Sequence, residues 1–267
     1  MKSLNLKYAI ETIAYLTYSC RFKFIIPCLF MVGWYSPILA QNRVVKYLQI
    51  TNFNNQLDTN YAELLINGQH TLYKYGQTKA TDQSPITDLN FERVKLRDEK
   101  GFLYYGDYEK GFYYNREFLL TQPVLVIDEM LSINWVIDFN TTKLILGYEC
   151  HKAVGEFRGR VYTAWFANQL PEGYGPWKLS GLPGLILEVL EHDNELQIIA
   201  QEIVESQVDF QKPDEKTKLT QMNYVNKFKK KLNQLTKYLA SNSGGSKLFQ
   251  ISSKSKFHVL ERSLFEN

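Results

Sequence analysis

Residues 147–189 read GYECHKAVGEFRGRVYTAWFANQLPEGYGPWKLSGLPGLILEV, and this stretch decides the fold. Tyr148 to Phe157 and Val161 to Phe166 alternate with the two-residue period of β-strands, and Arg158-Gly159-Arg160 joins them. In the second arm Val161, Thr163 and Trp165 fall on one face, while Tyr162, Ala164 and Phe166 fall on the other. Both faces are substantially apolar, so another element is expected to cover one of them. A turn-rich stretch at 170–184 follows. Pro183-Gly184 suits the central positions of a type II turn, with Pro holding φ near about −65° and Gly184 expected at positive φ.

Strand patterns also extend outward from this region. Upstream are Val44 to Thr51, Ala62 to Ile66, Gln69 to Tyr75, Val124 to Ile127 and Asn134 to Phe139. Asn67-Gly68 predicts a type I′ hairpin turn, and residues 76–92 read as a surface loop. Phe102 to Leu120 is an aromatic run punctuated by Gly106 and Gly111, which suggests a short meander. Downstream, Leu185 to Leu190 and Leu196 to Val204 form a last strand pair around His192-Asp193-Asn194. Between Pro213 and Ser241 the period changes. Met222, Val225, Phe228, Leu232, Leu235 and Leu239 recur at helical spacing, with Asp214 and Glu215 at the expected start.

The fold expected is mainly β (α+β): a curved antiparallel sheet of eight to ten strands, or half-barrel, packed on one C-terminal amphipathic helix. The organisation read from the chain is a leader and signal at 1–40, a β domain at 41–212, the helix at 213–243, and a tail or final strand at 244–267.

Gly181-Leu182-Pro183-Gly184-Leu185-Ile186 is an intact hexapeptide motif, flanked by Asn134-Trp135, Gly147-Tyr148-Glu149-Cys150 and Gly175-Pro176-Trp177-Lys178. On these residues the chain resembles the GLPGLI family of exported proteins from Gram-negative bacteria. That resemblance implies location and architecture and carries no catalytic residues.

Arg21 and Lys23 precede an apolar run from Phe24 to Tyr35, and Ser36-Pro37-Ile38-Leu39-Ala40 closes it with a cleavage-site pattern. Cleavage is therefore expected near Ala40-Gln41, leaving 227 residues in the periplasm or secreted into the Gram-negative envelope. The run is shorter than the roughly 20 apolar residues of a spanning helix, so membrane contact is expected to be at most peripheral. Of 31 basic residues four lie in the leader, and of 28 acidic residues one does, so the mature chain carries 27 of each. That balance provides no general attraction for nucleic acid. Cys150 alone follows the leader, which excludes an intramolecular disulfide in the mature chain.

Candidate ligand-binding residues are Arg158 and Arg160, able to clamp an anion beside Gly159, with Trp165, Trp177, Leu182, Pro183 and Gly184 as an apolar lip. Cys150 and His151 point to opposite faces of a strand, which reads as a buried, inert thiol rather than a nucleophile and base. The four histidines have no metal-ligand spacing and no nucleophile elbow appears, so neither catalytic residues, a metal nor a cofactor is expected. The leading expectation is a non-enzymatic periplasmic binding protein, a carrier, chaperone or accessory of an outer-membrane system, whose partner is an apolar small molecule or peptide, or an outer-membrane protein. The alternatives are a hydrolase using Arg158, Arg160, His192 and nearby acids, and an interaction module docking through a sheet edge.

Overall fold

The structure is a computed structural model that describes residues 42–53, 56–77 and 98–242. The leader, most of the 76–92 loop and the tail at 244–267 lie outside the described residues.

Twelve strands form one sheet: β1 (Arg43–Phe53), β2 (Gln56–Asn67), β3 (His70–Tyr75), β4 (Phe102–Asp107), β5 (Phe112–Leu119), β6 (Gln122–Glu129), β7 (Val136–Ile145), β8 (Tyr148–Phe157), β9 (Arg160–Ala167), β10 (Leu185–Glu191), β11 (Leu196–Glu205) and β12 (Lys218–Thr220). Among the described residues one helix, α1 (Gln221–Asn242), follows. The order across the sheet is β12-β6-β5-β4-β3-β2-β1-β11-β10-β9-β8-β7. Two meanders, β1–β6 and β7–β11, are thus joined where β1 pairs β11 antiparallel, from Arg43↔Glu205 to Thr51↔Leu196. Only β12 runs parallel, on β6.

This topology dictates curvature. β6 and β7 lie ten places apart in the order, which would be about 48 Å in a flat sheet at the usual interstrand spacing. The chain from Glu129 to Val136 spans at most about 25 Å when fully extended. The sheet must curl for so short a link to reach from one end to the other. The expected curved, mainly antiparallel sheet with a late helix is the fold found.

Alternation assigns the faces. Val45, Tyr47, Ala62, Leu64, Ile66, Tyr73, Tyr104, Tyr162, Ala164, Phe166, Val189 and Ile198 are all buried, and their register pairs place them on one inner face. This face carries the larger core, completed by Leu170, Trp177, Leu179 and Leu182 from the β9–β10 connection. A smaller core of Leu119, Val124, Val126, Leu219, Tyr224 and Val225 lies under α1.

Local chemistry moves three expected features. The β2–β3 turn is Gly68-Gln69 rather than Asn67-Gly68, because Asn67 pairs with His70 and Gly68 alone has positive φ (59°), as the first position of a type II′ turn requires. α1 begins at Gln221, not near Asp214. Thr220 accepts a 3.4 Å bond from the Asn223 amide as N-cap, while Asp214 and Glu215 are engaged by Lys218 and Arg116. Met222, expected on the buried stripe, is 60% exposed, and Tyr224 takes its place with its hydroxyl donating to the Phe118 carbonyl at 3.2 Å. Among the described residues, no helix is long and apolar enough to cross a membrane.

Candidate functional site

Among the described residues, the β9–β10 connection, residues 168–184, is a long stretch without regular structure that is nonetheless heavily constrained. Its polar backbone groups are bonded piece by piece, as buried main chain demands. Leu185 N donates to Leu170 O at 2.8 Å, Ile186 N to Tyr174 O at 2.9 Å, and Gly181 N to Gly173 O at 2.9 Å. Side-chain bonds tie the segment to distant elements. Trp135 Nε1 donates to Ser180 O at 2.9 Å, Tyr113 hydroxyl to Lys178 O at 3.2 Å, and Tyr174 hydroxyl to Gly68 O at 3.1 Å.

At its centre is an ion triad. Lys178 Nζ donates to Asp128 Oδ2 at 2.8 Å, and Arg158 Nη2 donates to both Asp128 oxygens at 2.9 Å. The side chains of Lys178, Asp128 and Arg158 are 1%, 5% and 9% exposed. Burying three charges is costly unless each is paired, so the triad is held by its geometry and is easily broken by losing a member. Tyr113 and Tyr108 lie beside it with hydroxyl oxygens 3.4 Å apart; burial raises both above the ordinary phenol range and keeps them protonated.

Two residues reach this triad through backbone that side chains avoid. Arg158 has φ 52° in the two-residue β8–β9 turn, and Trp177, next to Lys178, has φ 57°. A left-handed conformation costs a non-glycine residue roughly 1–2 kcal/mol. Trp177 is anchored against Phe157 at 5.6 Å between ring centroids, and the Arg158 guanidinium carbon lies 5.6 Å from the centre of the same ring. Left-handed backbone at Arg158 and beside Lys178, together with the buried triad they join, makes this corner a functional candidate.

The structure distributes the sequence candidates as follows. Arg158 joins Asp128. Arg160 lies apart, its Nη1 bonded to Glu195 Oε2 at 2.7 Å with Glu191 Oε1 3.5 Å away. Glu191 also accepts the amides of Asp193 and Glu195 at 3.1 Å, which ties the acidic hairpin end into a turn. Trp177 and Leu182 are 3% and 2% exposed and belong to the core, which corrects their expected place on an apolar lip. Trp165 is half-buried on the outer face under Lys143 Nζ, 4.4 Å from its ring, and Pro183 is exposed. Gly184 does not have the predicted positive φ; that conformation falls on Gly181, at 91°. Gly184 is required sterically, since a Cβ there would run into the Ala167 carbonyl. The hexapeptide therefore reads as a packing corner: Leu182 enters the core, Gly184 abuts β9, and Leu185 and Ile186 begin β10.

Cys150 is fully buried and burial pushes its thiol up to about 11, while His151 faces Phe139 and Phe166 on the other side of β8. Asp128 and Lys178 were not among the sequence candidates. Asp128 follows the apolar run PVLVI and Lys178 stands beside Trp177 and Leu179, and a charge bordering apolar residues is the signal by which they are found.

The comparisons bear on this region. The N-terminal domain family of an N-glycanase, PNGase F-II, matches residues 121–237. It is this family, and not the GLPGLI family, that the sequence matches. The matched span contains the triad, the whole 168–184 connection and most of α1. Two crystal structures of PNGF-II, in the C2 and P21 space groups, share the fold with TM-scores of 0.50 and 0.51 at 18% identity over 72% of this chain. The chain spans about a third of their length, 33% and 34%. A LolA superfamily protein from Nitrosomonas europaea aligns with a TM-score of only 0.29 at 8% identity, over 64% of this chain and 88% of that one, too weak a likeness to support carriage. No curated protein matches the sequence.

These matches overturn the expectation of a non-enzymatic carrier. The fold agrees with the correction. The inner face expected to hold an apolar ligand is covered by the chain's own 168–184 segment and α1. Export from the cytoplasm is consistent with the matches.

Proposed function

We propose that the protein acts in the enzymatic removal of N-linked glycans, supplying the N-terminal domain of an N-glycanase-type enzyme. The observation that carries this reading is the family match over residues 121–237, which takes in the strained corner around Asp128, Arg158 and Lys178. The ion triad suits a positioning role. A carboxylate engaged by two cationic donors is placed to hold the 168–184 segment against the sheet rather than to abstract a proton. The segment in turn fixes what the surrounding surface presents, including exposed Pro183. N-linked glycans belong to secreted and surface proteins, which agrees with a mature chain starting near Gln41 and working in the periplasm or outside the cell.

The test uses the purified mature protein and a peptide carrying one N-linked glycan, with the same peptide lacking the glycan as control. Calorimetry is expected to find that the protein binds the glycosylated peptide in preference to the bare one. Absence of that preference overturns the reading.

A further inference from the structure

On the outer face, away from the triad, strand register assembles a set of metal-ligating side chains that sequence spacing does not reveal. His70 opens β3 and Asp107 closes β4, and the two are direct partners across the ladder. His70 Nε2 lies 3.8 Å from Asp107 Oδ1. Glu109 stands two residues further on, in the β4–β5 turn, and the ligand atoms of all three lie within 4.8 Å of one another. We propose that His70, Asp107 and Glu109 form a binding site for a divalent cation of the zinc class.

The donor chemistry favours that class. One imidazole nitrogen with two carboxylate oxygens suits first-row divalent metals, whereas calcium collects six to eight oxygens. Ligand atoms on one tetrahedral zinc sit about 3.3 Å apart, given bonds of roughly 2.0–2.1 Å. His70 and Asp107 need to close by only about 0.5 Å, a movement within side-chain freedom.

Asp107 is the fixed point. It is buried, its Oδ1 accepts the Lys110 amide at 3.1 Å, and its carbonyl accepts the Gly111 amide at 2.9 Å. The His70 ring lies 5.7 Å from that of Tyr105, which restricts its swing. Glu109 is exposed and free to rotate inward. Three protein ligands would leave a coordination position open to solvent, the arrangement of zinc sites that take a further ligand.

Lys110 is the competitor. Its Nζ lies 2.9 Å from Asp107 Oδ2, but the side chain is 65% exposed and water can solvate it once displaced. It acts as a built-in counter-cation that weakens the site without abolishing it. A cation here would staple the β3 and β4 ends together, next to Gly68, whose carbonyl holds Tyr174 of the 168–184 segment.

The test is calorimetric titration of EDTA-stripped mature protein with zinc chloride, alongside thermal melting. One equivalent is expected to bind and to raise the melting temperature. His70→Ala and Glu109→Ala, both outside the core, should each weaken binding by at least about tenfold, as loss of a ligand costs no less than loss of an outer-shell partner. Lys110→Ala should tighten it. No zinc binding by the stripped wild-type protein, or binding that both His70→Ala and Glu109→Ala leave unchanged, overturns the proposal.

Discussion

The two covers of the inner face solve one problem by different means. α1 covers β5 and β6 with a few apolar side chains, Tyr224, Val225 and partly buried Phe228, set at helical spacing over Val124 and Val126. Its own backbone bonds are internal, so it asks little of the sheet. The 168–184 segment has no such economy. It needs side-chain partners from β1, where Arg43 pairs with Glu172, from β5 and from the β6–β7 crossover, with a buried ion triad and left-handed backbone at Trp177. A regular element can rest on a surface by hydrophobic contact alone, whereas an irregular one must be bolted down group by group. The bolted cover is also the one that falls wholly inside the N-glycanase N-terminal family match.

The comparison is broken most sharply at Asp128. Asp128→Ala leaves Arg158 and Lys178 without the carboxylate they share and is expected to cost about 3–5 kcal/mol in urea denaturation. A loss below about 1 kcal/mol would show that the triad does not hold the segment. Under the helix, Val225→Ala removes two buried methyl groups, so about 2 kcal/mol is expected from the same measurement. An equal or larger loss there would invert the ranking of the two covers.

The smallest effect sharpens the contrast through pH. Burial pushes Tyr174, in the bolted segment, from 10.0 up to about 12, and Cys150, in β8, from 9.0 up to about 11. Each group stays protonated in the folded state after its unfolded counterpart has lost its proton. Their stabilising contribution is therefore complete below about pH 9 and is lost as pH rises through the folded values. Hydrogen exchange should report loosening of 168–184 between pH 9 and 12 with α1 less affected; uniform loosening of both covers would count against the assignment.

How much of this was legible beforehand depends on the range of the interactions. The paired strands of residues 148–166 and the helix around Val225 announce themselves because alternation and helical period are local properties. β12 was not readable, since three residues make a strand only when β6 offers an edge. β7 was read only as far as Phe139, because it is mostly exposed and carries an irregularity between Asp138 and Thr142, so burial imposes no alternation on it. The start of α1 was misplaced for a similar reason. Asp214 and Glu215 look like helix-opening acids until Arg116, 99 residues away from Glu215, claims one of them.

The candidate site was legible in part. Arg158 could be singled out from its turn, but not that its guanidinium would cross to Asp128, 30 residues earlier. The turn-rich 168–184 stretch was visible as a corner, while Trp177 and Leu182 looked like a lip because nothing in a linear string says which side of a corner is covered.

By itself, then, the order of residues determined strand periodicity, the late helix and the charge balance of the chain, all set by composition or by neighbours a few residues apart. Only the folded molecule decided which charges meet, which glycine is forced by a neighbouring carbonyl, and that the inner face is filled from within. Those outcomes depend on a curved sheet that brings β6 towards β7, and curvature is a property of the whole set of strand pairings rather than of any segment.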